Sequence, residues 1–173
     1  MKYAIHWLDQ IAKLTGLICS FAIPFMVIIT VAIVVMRYGF GVGSVALQES
    51  VTYLHASLFM LAIAYALKTD SHVRVDIFYR RFSPNTQAWI NALGALVFLL
   101  PLVLVMIIYG WDYAARSWAI KETSIEPDGI PALFLLKSLI VLSASLLLLQ
   151  CLAEVLANAL TIIDRPIERI RGK

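Results

Sequence analysis

Four long stretches of this chain carry almost no charge, and nothing else in the sequence limits its fold so strongly. A helix of about 20 residues covers a hydrocarbon core of about 30 Å, so uncharged apolar runs of that length read as membrane spans. The first is Leu14 to Met36. The second runs from about Ser50 to Leu67, between Glu49 and Lys68, with His55 as its only ionisable group apart from tyrosines. The third covers about Ala88 to Trp111, and the fourth about Pro131 to Ile163, with Lys137 near one end and Glu154 toward the other. At about 1.5 Å per residue the fourth overshoots a bilayer, which predicts tilt or a helix that continues beyond it. Apolar residues fill 61% of the 173 positions, more than a soluble domain of this size can bury. The predicted fold is an all-α integral membrane protein with spans at 14–36, 50–67, 88–111 and 131–163, forming a single membrane domain.

Orientation follows from lysine and arginine, which are retained on the cytoplasmic face. With the N-terminus inside, the inner segments hold Lys2, Lys13, Lys68, Arg74, Arg80, Arg81, Arg165, Arg169, Arg171 and Lys173. The outer segments hold only Arg37, Arg116 and Lys121. Both termini are therefore expected in the cytoplasm, and a bacterial inner membrane is the expected location. The net charge of +3 is distributed by topology rather than gathered in a basic stripe, which argues against nucleic-acid binding.

Asp9 precedes the first apolar run, the run is long for a signal peptide, and no small-residue cleavage pattern follows, so an uncleaved anchor is expected. Upstream, Lys2, His6, Asp9, Gln10 and Lys13 share one helical face, and Tyr3, Trp7, Leu8, Ile11 and Leu14 the other. Two readings stand: an amphipathic segment lying in the interface, or an extension of the first span. Trp7, Lys13, Arg80 and Arg81 are the expected anchors at the membrane surface. Cys19 and Cys151 fall inside spans, as small buried residues rather than a disulfide framework.

Within the spans, Pro24 and Pro101 are expected to kink helices, and Gly16, Ala62, Ala66, Gly94 and Gly110 to admit close neighbours. Gln48, Thr52, His55 and Phe59 lie near one face of the second span, with Glu49 and Tyr53 beside it. Interhelical hydrogen bonding is the plain reading, and proton relay by Glu49 and His55 the sharper one. Arg37 and Glu49 flank one hairpin, which suggests a salt bridge across it. Gln150, Glu154 and Asn158 form a stripe that faces either headgroups and water or another subunit. Lys137 is expected to snorkel to the outer interface.

The first inner loop is the most distinctive stretch. If His72 to Asp76 is extended, His72, Arg74 and Asp76 point one way and Val73 and Val75 the other. No convincingly paired serine or cysteine completes a nucleophilic triad there. The three histidines, His6, His55 and His72, have unrelated spacings, so no metal site is expected, and bundle haem would need a second histidine well inside a span. Neither an enzyme activity nor a cofactor is expected.

Arg37-Tyr38 closing the first span, Glu49 opening the second, Ala62 to Ala66 near its end, and His72-Val-Arg-Val-Asp76 followed by Pro84 carry a family resemblance. It continues through Trp111, Ser117, Glu122, Ser124, Pro131 and Lys137, and so covers nearly the whole chain. The sequence resembles the small membrane subunit of tripartite ATP-independent periplasmic transporters, the DctQ-like family. That resemblance implies a scaffold subunit of a sodium-coupled importer of organic acids, partnered by a large multi-span permease and a periplasmic substrate-binding protein within the membrane lipids. The large permease is then expected to hold substrate and sodium and to move against a fixed frame that includes this chain. Overall likeness inclines toward a sialic acid system. Arg37, Glu49, His72, Arg74 and Asp76 are read as structural or subunit-interface residues, and no residue is read as a substrate ligand. The outer segments, Gly39 to Gln48 and Asp112 to Ile130, would face the binding protein. The second is slightly acidic, which suits either docking to a basic patch or plain solvation. The rival classes are a stand-alone proton-coupled exporter and the membrane anchor of a respiratory complex.

Overall fold

The computed structural model describes residues 2–69, 79 and 81–171, with side chains described for all of these except 2, 4 and 164–171. The elements are α1 (Lys2–Ser20), α2 (Ala22–Gly39), α3 (Val45–Lys68), α4 (Pro84–Gly94), a π-helical turn (Ala95–Leu99), α5 (Leu100–Ala119) and α6 (Leu133–Arg171). No strand occurs among the described residues. Among the described residues, four helical stretches are long and apolar enough to cross a membrane: Ile5–Gly39, Val45–Lys68, Pro84–Ala119 and Leu133–Ile163. Each includes one of the apolar runs apart from residues 131–132, and the first three extend past them, because helix geometry continues through polar flanks that a charge-free window excludes. α6 runs on to Arg171, as the length of the fourth run anticipates.

The fourth span is the axis of the bundle. A third (33%) of its most apolar 18-residue stretch is buried, against 6% of that stretch in each of the first two spans and 11% in the third, and the fourth span packs against α1, α3, α4 and α5. Val103 of α5 and Ala144 and Leu147 of α6 form the centre, with Ile63, Leu67 and Met106 packed against them. Hydrocarbon solvates the outer faces, so the inward faces use small residues that admit close backbones rather than bulky ones. Gly110 is one: a Cβ there would sit 3.1 Å from the Ile140 side chain.

α1 and α2 are separated by Phe21, whose N–H bonds the Ile18 carbonyl at 3.2 Å. The break lies just before Pro24, which occupies the first turn of α2, where a missing N–H costs nothing. Contacts with α3 place α1 antiparallel to it. Asp9 meets Lys68, Gly16 meets Tyr65, and the Cys19 thiol approaches the Ser57 carbonyl at 4.0 Å. A Cβ on Gly16 would lie 2.5 Å from the Tyr65 ring, so this crossing requires glycine. Of the two readings of the opening segment, the structure matches an extension of the first span, with Tyr3 and Trp7 exposed on its outer side. α2 touches the bundle through the half-buried stripe Ala22, Met26, Ile29, Ile33 and Met36, and it has no buried residue.

The third span begins with Ser83, whose hydroxyl accepts from the Thr86 N–H at 3.2 Å while Pro84 opens the helix. Pro101 is expected to kink this span. The chain absorbs the disruption in the turn at Ala95–Leu99, where the Leu100 N–H reaches the Ala95 carbonyl. The Cys151 thiol donates to that same carbonyl at 3.7 Å.

Candidate functional site

Two polar clusters hold the ends of the bundle. At the end carrying residues 40–44 and 120–132, Glu49 of α3 grips the connection between α5 and α6. Its Oε2 accepts from the Ile130 N–H at 2.6 Å, and its Oε1 accepts from the Ser124 hydroxyl. Ser124 Oγ also accepts from the Glu126 N–H at 3.2 Å, and the Gly129 N–H closes a turn onto the Glu126 carbonyl at 3.2 Å. Asp128, at φ 60°, and Gly129 complete that turn. A Cβ on Gly129 would lie 2.6 Å from Ser124 Cβ and Oγ and 2.9 Å from Glu49 Oε1. The Glu-Pro-Asp-Gly turn at residues 126–129 therefore fits under the carboxylate only because it ends in glycine.

A second clamp joins the same connection to α6. Lys137 Nζ pairs with Glu122 Oε2 and lies 4.2 Å from the centre of the Tyr113 ring. The Glu122 N–H donates to the Ser117 carbonyl at 3.0 Å, and the Glu122 carbonyl accepts from the Leu133 N–H at 3.1 Å. The hydrogen bond from Lys137 holds the Glu122 carboxyl below its ordinary pKa. Lys137 does not simply snorkel to water, because it has a counter-ion within the chain.

The opposite end is tied by Asp9. Lys68 Nζ lies 3.2 Å from Asp9 Oδ2 and donates to the Asp9 carbonyl at 2.8 Å. The amide of Gln150, 2% exposed, donates to Asp9 Oδ1 at 3.4 Å. One carboxylate thus joins α1, α3 and α6. Gln150 was expected in an outward stripe with Glu154 and Asn158; it points instead into its own bundle. The Asn158 amide donates to the Glu154 carbonyl at 2.8 Å.

Of the sequence-predicted site residues, Arg37 and Glu49 are described, and they are not paired. Arg37 is exposed and makes no ion pair with Glu49 among the described residues. Residues 40–44 curl back at the end of α2, with the Phe40 and Val42 N–H groups both on the Met36 carbonyl, and Glu49 is already supplied with donors from residues 124–130. Glu49 and His55 are six positions apart, about 120° round the helix, so their side chains do not meet directly. Trp7, Lys13 and Arg81 are exposed. His72, Arg74, Asp76 and Arg80 lie outside the described residues. Among the described residues no group of three or more His, Cys, Asp or Glu side chains could hold a metal ion.

A groove of 540 Å³ runs along α5 and α6 between Trp111, Trp118, Ser138 and Ser145. Its polar atoms are already bonded: Trp118 Nε1 donates to Ser138 Oγ at 2.8 Å, and Ser145 Oγ donates to the Val141 carbonyl at 2.8 Å. It therefore presents hydrocarbon, which suits acyl chains.

Comparison with known proteins gives the family. The model of the DctQ component of tripartite ATP-independent periplasmic transporters matches residues 26–161. The chain belongs to this DctQ family. A relative is the C4-dicarboxylate TRAP transporter small permease protein DctQ of Vibrio cholerae, 25% identical over 134 residues, which cover 72% of this chain and 55% of that one. The chain thus spans little more than half the length of that curated relative. No solved structure matches. DctQ proteins are transporter components rather than a family of enzymes. The matched region holds both partners of each clamp, Glu49 with Ser124 and Ile130, and Glu122 with Lys137, whereas Asp9 lies before it.

Proposed function

We propose that this chain is the small, non-transporting frame of a sodium-coupled importer of organic acids in a bacterial inner membrane. It works beside a large permease that holds substrate and sodium, and a periplasmic binding protein delivers the cargo. Membership in the DctQ family carries the proposal. The bundle interior supports it. Its buried polar side chains among the described residues are Ser117, Ser143 and Gln150, and the apolar Val103–Ala144–Leu147 centre closes the axis. An ion or carboxylate crossing such an interior would lack polar lining at mid-depth.

Both termini face the cytoplasm in this reading, where the basic residues collect, and the clamped connection at residues 120–132 faces the periplasm. Ile125 at its tip is 95% exposed, with Glu126 and Asp128 nearby, so this surface is available to an arriving binding protein. The cargo is a carboxylate. The relative named above is a C4-dicarboxylate protein, and sialic acid is the alternative cargo; competition of both against uptake separates them.

Association is the direct test. The tagged full chain, extracted from native membranes in mild detergent, should bring down a large permease in a fixed ratio. Recovery of the chain without any such partner, under conditions that keep it folded, would falsify the frame assignment.

A further inference from the structure

Polar groups inside the spans mostly satisfy themselves. The hydroxyls of Thr30, Ser138, Ser143, Ser145 and Thr161 donate to carbonyls three or four residues back, so surrounding hydrocarbon meets no unbonded donor there. One face of α3 breaks this pattern. Gln48, Thr52, His55 and Phe59, at i, i+4, i+7 and i+11, are all exposed along one stripe. The Thr52 hydroxyl reaches the Gln48 carbonyl at 3.5 Å, but the Gln48 amide and the His55 imidazole have no hydrogen-bond partner among the described residues.

His55 lies about 9 Å along the helix from Glu49 and about 20 Å from Lys68. Those two residues mark the polar ends of α3, so the imidazole sits within the hydrocarbon. Lipid tails offer it no hydrogen bond, and an unsatisfied imidazole there is strongly unfavourable. Toward Lys68 the same face continues through Ala62 and Ala66, whose small side chains admit a second backbone. A water-soluble partner cannot reach this depth, and headgroups lie too far out. The chemistry that fits is another membrane-spanning helix with a hydrogen-bonding side chain level with His55.

We propose that the Gln48–Thr52–His55–Phe59 stripe is the docking face for a membrane-spanning helix of the large permease, with His55 as its central hydrogen-bonding contact. This occupant presupposes the pairing proposed above; a second copy of this chain is the competing occupant.

The test places the photocrosslinker p-benzoylphenylalanine at position 59 of the full chain, co-produced with a tagged large permease and irradiated in native membranes. Position 98, where Phe98 is 76% exposed on the third span, serves as the comparison. The expected result is a permease adduct from position 59, with a weaker one or none from position 98. An adduct with a second copy or with lipid alone, or no adduct while the permease copurifies, overturns the docking face and leaves the pairing intact. Failure of the permease to copurify overturns both. In parallel, His55→Leu should lower copurified permease about threefold to tenfold per recovered chain, and His55→Gln should lower it less. Equal recovery in all three proteins contradicts the role of His55.

Discussion

At the scale of single residues, Glu49 carries the most structural consequence. Its two carboxylate oxygens take donors from Ser124 and Ile130, more than seventy residues away in the chain. Glu49→Ala leaves the Ile130 N–H without its acceptor and should cost about 1–3 kcal/mol, read as a lowered unfolding temperature of the purified chain in detergent. Gly129→Ala should loosen the same connection through the clash with Ser124, seen as faster proteolysis within residues 120–132. Glu122 adds a pH dependence. Its folded pKa is lowered, so its stabilisation is full above the unfolded value near 4.5 and fades as pH falls through the lower folded value. Wild type should therefore lose stability more steeply than Glu122→Gln below about pH 4.5, and parallel melting curves would contradict that. Glu49 was readable as a structural residue because it opens a span. Its true partners were not, since a carboxylate at a helix start points equally well to the neighbouring Arg37 or to a loop folded over it. The Glu-Pro-Asp-Gly turn was the available signal.

At the scale of elements, α1 shows what hydropathy alone leaves open. A stripe of Leu8, Ala12, Gly16 and Cys19 is as compatible with an interfacial helix as with a packed one, because both need one apolar face. Gly16 against Tyr65 and Asp9 against Lys68 make it a packed one. Gly16→Leu should separate α1 from α3, and cysteine pairs between the two helices that crosslink in the parent should then fail to do so. Asp9→Asn should lower stability by about 1–3 kcal/mol by leaving Lys68 without its counter-ion, and adding Lys68→Met should recover much of that loss. If the second substitution only adds to the first, the two residues act independently. The four spans themselves were fully legible, since charge-free length is a strong constraint in a membrane. Gln150 was not: its neighbours Glu154 and Asn158 share its helical face, and only the packing shows that this face turns inward at Gln150.

At the scale of the whole molecule, a bundle whose first two spans bury so little of themselves is an unusual solution for a chain acting alone. α2 has no buried residue and is mostly exposed outside its one half-buried stripe, and α3 exposes the His55 imidazole part-way along its apolar span. Both features are accounted for if these faces meet another membrane protein, and the apolar axis accounts for why cargo would travel elsewhere. The most direct measurement of this frame role is uptake of radiolabelled organic acid into proteoliposomes under a sodium gradient, with this chain, the large permease or the binding protein omitted in turn. Uptake should appear only when all three are present, and the His55→Leu chain should support less of it. Undiminished uptake without this chain, or uptake by this chain alone, would contradict the account.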